Sequence, residues 1–423
     1  MIGAGLAGTE CAYQLARWGW PVVLHEMRPG RSTPAHKTGD FAELVCSNSL
    51  RSDDPHHAAG LLKREMEAFG SLIIATARRA AVPAGSALAV DRERFAGEIT
   101  SILHQHPGIE VRSEEVTRIP DGRVVIATGP LTSEPMARQL QELLGDEYLY
   151  FYDAIAPIVD AESLDMNVLF AGSRYGKGGD DYLNAPMDRE QYLAFYDALI
   201  HAELAPLHDF EQKMFFEGCL PIEEMAARGI DTLRFGPMKP VGLTPPDGRK
   251  PYAVVQLRQE NLARSHYNLV GFQSRLKWGE QQRVLRMIPG LEQAQFVRLG
   301  QVHRNTFINA PTHLDSGYRL KLHPRVRLAG QLTGVEGYLE SAATGLAVAL
   351  YLELEHRHGE LTEPLPATTA LGAMNRHLVE SDARHFQPAN INYGLFEPLV
   401  PLPRRAERRD AYAERSRAAL AAW

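Results

Sequence analysis

Small or apolar side chains at Ala7, Cys11, Leu15 and Trp18 recur at helical spacing, which predicts an early helix with one buried face. Gly19 and Pro21 end it, and Val22-Val23-Leu24 follows as a short buried strand closing at Glu26. Leu62, Met66, Phe69 and Ile73 predict an amphipathic helix over 61–79. Asp91 stands as the N-cap of a helix reaching about His104. Strands follow near 109–112 and 124–127, the second leading into Thr128-Gly129-Pro130. Strands alternating with helices predict an α/β fold whose mainly parallel sheet is covered on both faces. Residues 186–312 change style, with more aromatics and prolines, a helix over 191–201 and a strand over 252–256. They read as an inserted mixed α/β domain. From 326 the first style returns, with a buried strand over 326–330, a glycine turn and a helix over 339–352. Residues 1–185 and 313–423 are therefore expected to form one discontinuous domain. Six arginines among alanine and glutamate in 404–420 predict an amphipathic C-terminal helix with a solvated face.

The 423-residue length fits two or three domains. No apolar run nears the ~20 residues that cross a bilayer, and the N-terminus has no export-signal pattern, so no membrane partner is expected. Three cysteines, Cys11, Cys46 and Cys219, are too few for a disulfide framework and lack metal-ligand spacing, which fits a cytoplasmic protein without a metal. A net charge of −7 excludes a globally basic nucleic-acid coat but leaves room for a local basic face.

Gly3-Ala4-Gly5-Leu6-Ala7-Gly8 fits G-x-G-x-x-G at a helix start, with Glu26 following at the end of the next strand. Gly3 allows the tight turn, Gly5 lets backbone approach a pyrophosphate, and Gly8 lets helix and strand pack closely. The helix N-terminus offers free N–H groups to phosphate, and Glu26 can accept from an adenosine ribose. The strand before Gly3 is only Met1-Ile2, short for a central strand. The segment 329–338, with Gly330, Gln331 and Gly334, repeats a strand, glycine turn and helix start, and favours FAD over a nicotinamide as the bound dinucleotide. A helix N-terminus there would stabilise negative charge on a reduced flavin. Ala127-Thr128-Gly129 suits the same fold.

Cys46 precedes Ser47-Asn48-Ser49, and Cys219 lies between Gly218 and Pro221, two loop-like settings with little helix. On residue type alone each reads as an inert thiol or as a nucleophile. Cys11 falls on the packed face of the first helix and reads as structural. His303-Arg304-Asn305 reads either as a folate contact or as a strand cap. The loop 172–178, with Arg174 and Lys177, reads either as a phosphate contact or as a solvated loop.

Taken together, these residues resemble the folate- and FAD-dependent tRNA (uracil-5-)-methyltransferase family, TrmFO. The resemblance runs from Gly3 to about Gly345. It rests on the glycine motif, the block 41–51 around Cys46-Ser47-Asn48-Ser49, Val82-Pro83-Ala84-Gly85 and the block 216–223 around Gly218-Cys219-Leu220-Pro221. Gly236-Pro237-Met238-Lys239-Pro240, His303-Arg304-Asn305 and the C-terminal glycine segment extend it. The resemblance implies transfer of a methylene from 5,10-methylenetetrahydrofolate to C5 of the T-loop uridine, position 54, of tRNA. Reduced FAD would carry and reduce the one-carbon unit, with NAD(P)H as electron source and 5-methyluridine as product. It also implies that Cys46 and Cys219 are catalytic, one adding to C6 of uracil and the other acting as base or beside the flavin. With no second G-x-G-x-x-G, NAD(P)H is expected to dock transiently. The alternatives are an FAD oxidoreductase of a small substrate, a flavin-containing RNA-binding scaffold, and the related FAD-dependent modification of the wobble uridine.

Overall fold

A computed structural model describes residues 1–423 except 34, 146–147, 155, 177–178, 206–219, 262, 301, 361–362 and 405; for 148–154 and 302–305 it describes backbone alone.

The first sheet is built around a very short central strand. Val22–Glu26 pairs in parallel with Ile109–Ser113, and Val124–Ile126 pairs in parallel with His323–Leu328. Ile2 joins the two halves, bridging His25 on one side and Ile126 on the other, both in parallel. Four backbone hydrogen bonds secure this seam: Ile2 N to Val125 O at 2.9 Å, Ala127 N to Ile2 O at 2.8 Å, Gly3 N to His25 O at 2.8 Å and His25 N to Met1 O at 2.9 Å. Three residues, Met1 to Gly3, thus satisfy both neighbours. Arg319–Leu320 adds an antiparallel edge.

Helix Leu6–Arg17 packs against helix Tyr338–His358. Gly345 makes that crossing possible, since a Cβ there would lie 2.2 Å from the Ala7 carbonyl oxygen. Gly8 has the same function against the strand end, where a Cβ would lie 1.9 Å from Gly3 O. Glu10, fully buried on the first helix, accepts from Ser71 Oγ at 2.7 Å and Ile73 N at 2.9 Å. It thereby satisfies the start of helix Leu72–Arg79.

The continuous helix expected over 61–79 is two helices, Ala58–Ala68 and Leu72–Arg79. Gly70 at φ +73° turns the chain, and the Ser71 side chain caps the second helix by accepting from Ile74 N. Asp91 caps helix Arg92–Gln105 as expected. The C-terminal arginine-rich segment forms helix Arg408–Ala422, which buries Ala413 and Ser416.

A second hydrophobic core lies under a six-stranded antiparallel sheet. Its order is Phe296–Arg298, Ile158–Asp160, His266–Leu269, Ala253–Gln259, Tyr182–Met187 and Phe170–Ala171. Helix Arg189–Ile200 contributes Tyr192, Phe195 and Leu199 to this core. The sheet therefore reaches back to Ile158, before the boundary expected at 186, because strands of two or three residues carry no periodic signal. Tyr148–Ala154 and Val302–Ile308 pair antiparallel as a separate two-stranded sheet. Among the described residues no helix is long and apolar enough to cross a membrane, and no group of three His, Cys, Asp or Glu could hold a metal.

Candidate functional site

The carboxyl ends of the parallel strands open onto a cavity of about 380 Å³, the place where open α/β sheets bind ligands. Gly3, Gly5, Leu6 and Ala7 line it, as do Glu26, Thr128, Gly129, Gly330 and Gln331. The glycine turn is shaped for close approach. Gly5, at φ −74° and ψ −171°, has no side-chain cap on its helix, and a Cβ there would meet nothing within 4 Å. That empty volume beside uncapped first-turn N–H groups has the room and the donors that a phosphate would need.

Ala4 does not line the cavity but donates its N–H to Glu26 Oε2 at 2.9 Å. The other Glu26 oxygen accepts from Arg28 N at 3.1 Å and Arg28 Nε at 2.9 Å. Burial opposes the Glu26 charge, but Arg28 and these N–H groups outweigh it and hold the carboxyl below its usual range. Arg28 is itself 3% exposed and also reaches Glu43 at 3.2 Å. Glu26 thus ties the turn to its strand while lining the cavity.

Close to the first helix, where a Cβ on it would lie 3.1 Å from Ala7 Cβ, Gly330 stands at φ +79° and donates its N–H to Thr344 Oγ at 2.7 Å. Gln331 Nε2 donates to Glu336 at 2.6 Å. Gly334 does not line the cavity; it forms the left-handed end of the turn Gln331–Thr333 beside Phe386. The long helix then starts at Tyr338, with Gly337, Tyr338 and Ser341 facing the cavity.

Cys46 enters the same cavity. Tyr338 Oη accepts from Cys46 N at 2.5 Å and from Ser47 N at 3.3 Å. Arg92 donates to Leu44 O at 2.7 Å and Cys46 O at 3.3 Å. Asn48, fully buried, donates to Val90 O at 3.0 Å and Gln259 O at 3.1 Å and accepts from Arg258 Nε at 2.9 Å. The Cys46 loop is therefore fixed from three directions, one of them the inserted unit. Arg51, also on the cavity wall, pairs with buried Glu340.

Cys219 lies outside the described residues; Ile222 N, three positions on, bonds to the carbonyl of Gln273, a cavity residue. Cys11 is fully buried and away from the cavity, and burial pushes its thiol up to about 12. The side chains of His303, Arg304 and Asn305 and the whole of Lys177 also fall outside the described residues. Arg174 is turned inward, donating to Gln256 Oε1 at 2.8 Å, to Val241 O at 3.1 Å and to Lys239 O. The phosphate-contact reading of that loop loses its arginine to an internal tie. Sequence reasoning gave no role to Tyr338, Arg92, Arg51 or Asn48. Asn48 and Arg51 lie in the block 41–51 and Tyr338 in the segment 329–338, whereas Arg92 looks like any helix-start arginine until its distant partners are seen.

A family model described as glucose inhibited division protein A matches residues 1–360. Over 426 residues the chain is 58% identical to the methylenetetrahydrofolate–tRNA-(uracil-5-)-methyltransferase TrmFO of Moorella thermoacetica, covering 100% of this chain and 97% of that protein. The protein of the same name from Geobacter sulfurreducens is 56% identical over 426 residues, covering 100% and 98%. Two crystal forms of Aquifex aeolicus GidA match with TM-scores of 0.69 and 0.70 at 16% identity, covering 99% of this chain and 72% or 75% of that one. Likeness at that identity speaks for the fold alone.

Proposed function

The chain belongs to the glucose inhibited division protein A family, in its TrmFO group, and from that premise we propose that it methylates C5 of a tRNA uridine with methylenetetrahydrofolate as carbon donor. The T-loop uridine, position 54, is the target in this reading. The observation that carries it is the full-length identity to TrmFO proteins together with a thiol held in the cavity that the glycine turn opens.

The cavity suits FAD. The first-turn N–H groups at Gly5, Leu6 and Ala7 would receive the pyrophosphate, and Glu26 the adenosine ribose. Gly330, Gln331 and the start of helix Tyr338–His358 would hold the flavin end. Bound FAD supplies a carrier for the one-carbon unit and the hydride that makes it a methyl group, with NAD(P)H restoring its reduced form.

The protein's own part is to make C5 of uracil nucleophilic. A thiolate adds to C6, and the electron pair of the C5–C6 bond moves to C5, which bonds the one-carbon unit. A base then takes the C5 proton as the one-carbon unit parts from its carrier, which leaves an exocyclic methylene on C5; once a hydride adds to that methylene, the C5–C6 double bond returns and the thiolate leaves C6. Cys219 is assigned as the nucleophile and Cys46 as the group beside the flavin that acts as base or guards the one-carbon unit. A simple flavin oxidoreductase would leave the anchored Cys46 loop and the inserted unit without a task. The test is nucleoside mass spectrometry of an unmodified tRNA transcript incubated with enzyme, FAD, NADPH and methylenetetrahydrofolate. 5-Methyluridine should form, and a transcript with cytidine at position 54 should stay unmethylated. NADPH oxidation with no modified nucleoside would contradict the proposal.

A further inference from the structure

Arg92 opens helix Arg92–Gln105 yet is half-buried, and it touches two parts of the molecule at once. Towards the first unit it donates to the carbonyls of Leu44 and Cys46. Towards the inserted unit it meets Glu260, 6% exposed, at 2.6 Å. Arg298, on the inserted unit's edge strand Phe296–Arg298, joins the same group and interacts electrostatically with Arg92, Tyr338, Cys46 and Glu260. Lys37 interacts electrostatically with both arginines and with Glu43. Glu43 is already engaged by Arg28 and by the N–H groups of Lys37 and Thr38. Tyr338 faces Cys46 as a neutral phenol, because burial and the Cys46 charge both oppose its ionisation. The groups around Cys46 therefore carry an excess of positive charge, with Glu260 the carboxylate set against Arg92 and Arg298.

We propose that Arg92, paired with Glu260, is a positioning residue that fixes the Cys46 loop and biases the Cys46 thiol towards the thiolate. A nearby cation favours the anionic form of a thiol. The Glu260 carboxylate, which partly cancels that cation, makes the bias depend on the inserted unit. Docking of that unit thus bears on Cys46 reactivity as well as on its position. The inference rests on the functional reading above for its relevance to methylation, but the charge relation itself can be measured without turnover.

The experiment is the pH profile of Cys46 alkylation by iodoacetamide in the FAD-loaded protein, read by peptide mass spectrometry, which separates Cys46 from Cys11 and Cys219. Arg92→Met should move the midpoint up by about one pH unit, with Arg92→Lys restoring part of the shift. Glu260→Gln should move it down, because it removes the opposing charge. A merely structural latch would shift both variants in the same direction or neither, and either result overturns the proposal. Methylation assays on the same proteins should show Arg92→Met lowering kcat at least tenfold with the KM for tRNA little changed. If Cys46→Ala methylates normally while the opposite midpoint shifts persist, the functional role of Cys46 fails and the charge relation stands.

Discussion

Replacing Gly5 by valine separates the fold of the glycine turn from its use. The backbone at φ −74° and ψ −171° is extended and open to any residue, and a Cβ there meets nothing within 4 Å. The loss of a glycine N-cap costs roughly 0.5–1 kcal/mol. The reduced freedom of the unfolded chain returns about 0.4–1 kcal/mol. The apoprotein should therefore melt within a degree or two of the parent. The valine side chain, however, enters the volume in which a pyrophosphate would meet the helix N-terminus. A hundredfold loss of FAD affinity, about 2.7 kcal/mol, is the least expected. Scanning fluorimetry with and without added FAD gives the answer directly. At a hundred times the parent's dissociation constant, FAD stabilises the parent by about 2.7 kcal/mol, which is a rise of several degrees, and a variant a hundredfold weaker should gain at most about 0.4 kcal/mol, under a degree. Stoichiometric flavin in purified Gly5→Val would refute the cradle. Collapse of the apoprotein would show that Gly5 is needed for packing, contrary to the open space above it.

Gly345→Ala should be the opposite case. Its Cβ meets the Ala7 carbonyl at 2.2 Å, so overpacking of about 3 kcal/mol or more outweighs the ~1 kcal/mol helix gain. Gly97→Ala, in helix Arg92–Gln105 with nothing within 4 Å, should instead stabilise by roughly 0.5–1 kcal/mol in the same thermal melt. Glu65 is buried, accepting from Ala370 N, Leu371 N and Ser416 Oγ, and burial raises its carboxyl to about 7. Its contribution is fully present below pH 4.5 and is lost as pH rises through about 7, so stability by urea titration should fall by about 3 kcal/mol across that window. Glu65→Gln should flatten the fall. Cys46→Ala and Cys219→Ala should each abolish methylation, with only one of them keeping a covalent adduct to a 5-fluorouridine T-loop RNA. Cys11→Ala should remain active. Near-parental rates in both alanine variants would remove the thiolate mechanism.

The nucleotide half of the molecule was legible because its signals are local. The glycines at 3, 5 and 8, the Asp91 cap and the 329–338 segment each encode their own geometry within a few residues. The break at Gly70-Ser71 is hidden in the sequence because the apolar spacing continues across it, while the turn chemistry depends on one positive φ and a serine cap. Strands Ile158–Asp160 and Phe170–Ala171 were too short to register. The clamp on Cys46 could not be read at all. Arg92, Glu260 and Tyr338 meet only in space, and their types are ordinary where they stand. Arg174 is the converse case, since a basic residue in a glycine loop reads either as a phosphate contact or as a solvated side chain, whereas Gln256 and two carbonyls take up its donors.

The origin of the methyl carbon tests the central claim most directly. An unmodified tRNA incubated with enzyme, FAD, NADPH and methylenetetrahydrofolate deuterated at the methylene should yield 5-methyluridine carrying two deuteriums. The methylene arrives whole, and its third hydrogen is added during reduction. Product that carries no deuterium, or no 5-methyluridine while NADPH is consumed, would contradict folate-dependent methylation by this chain.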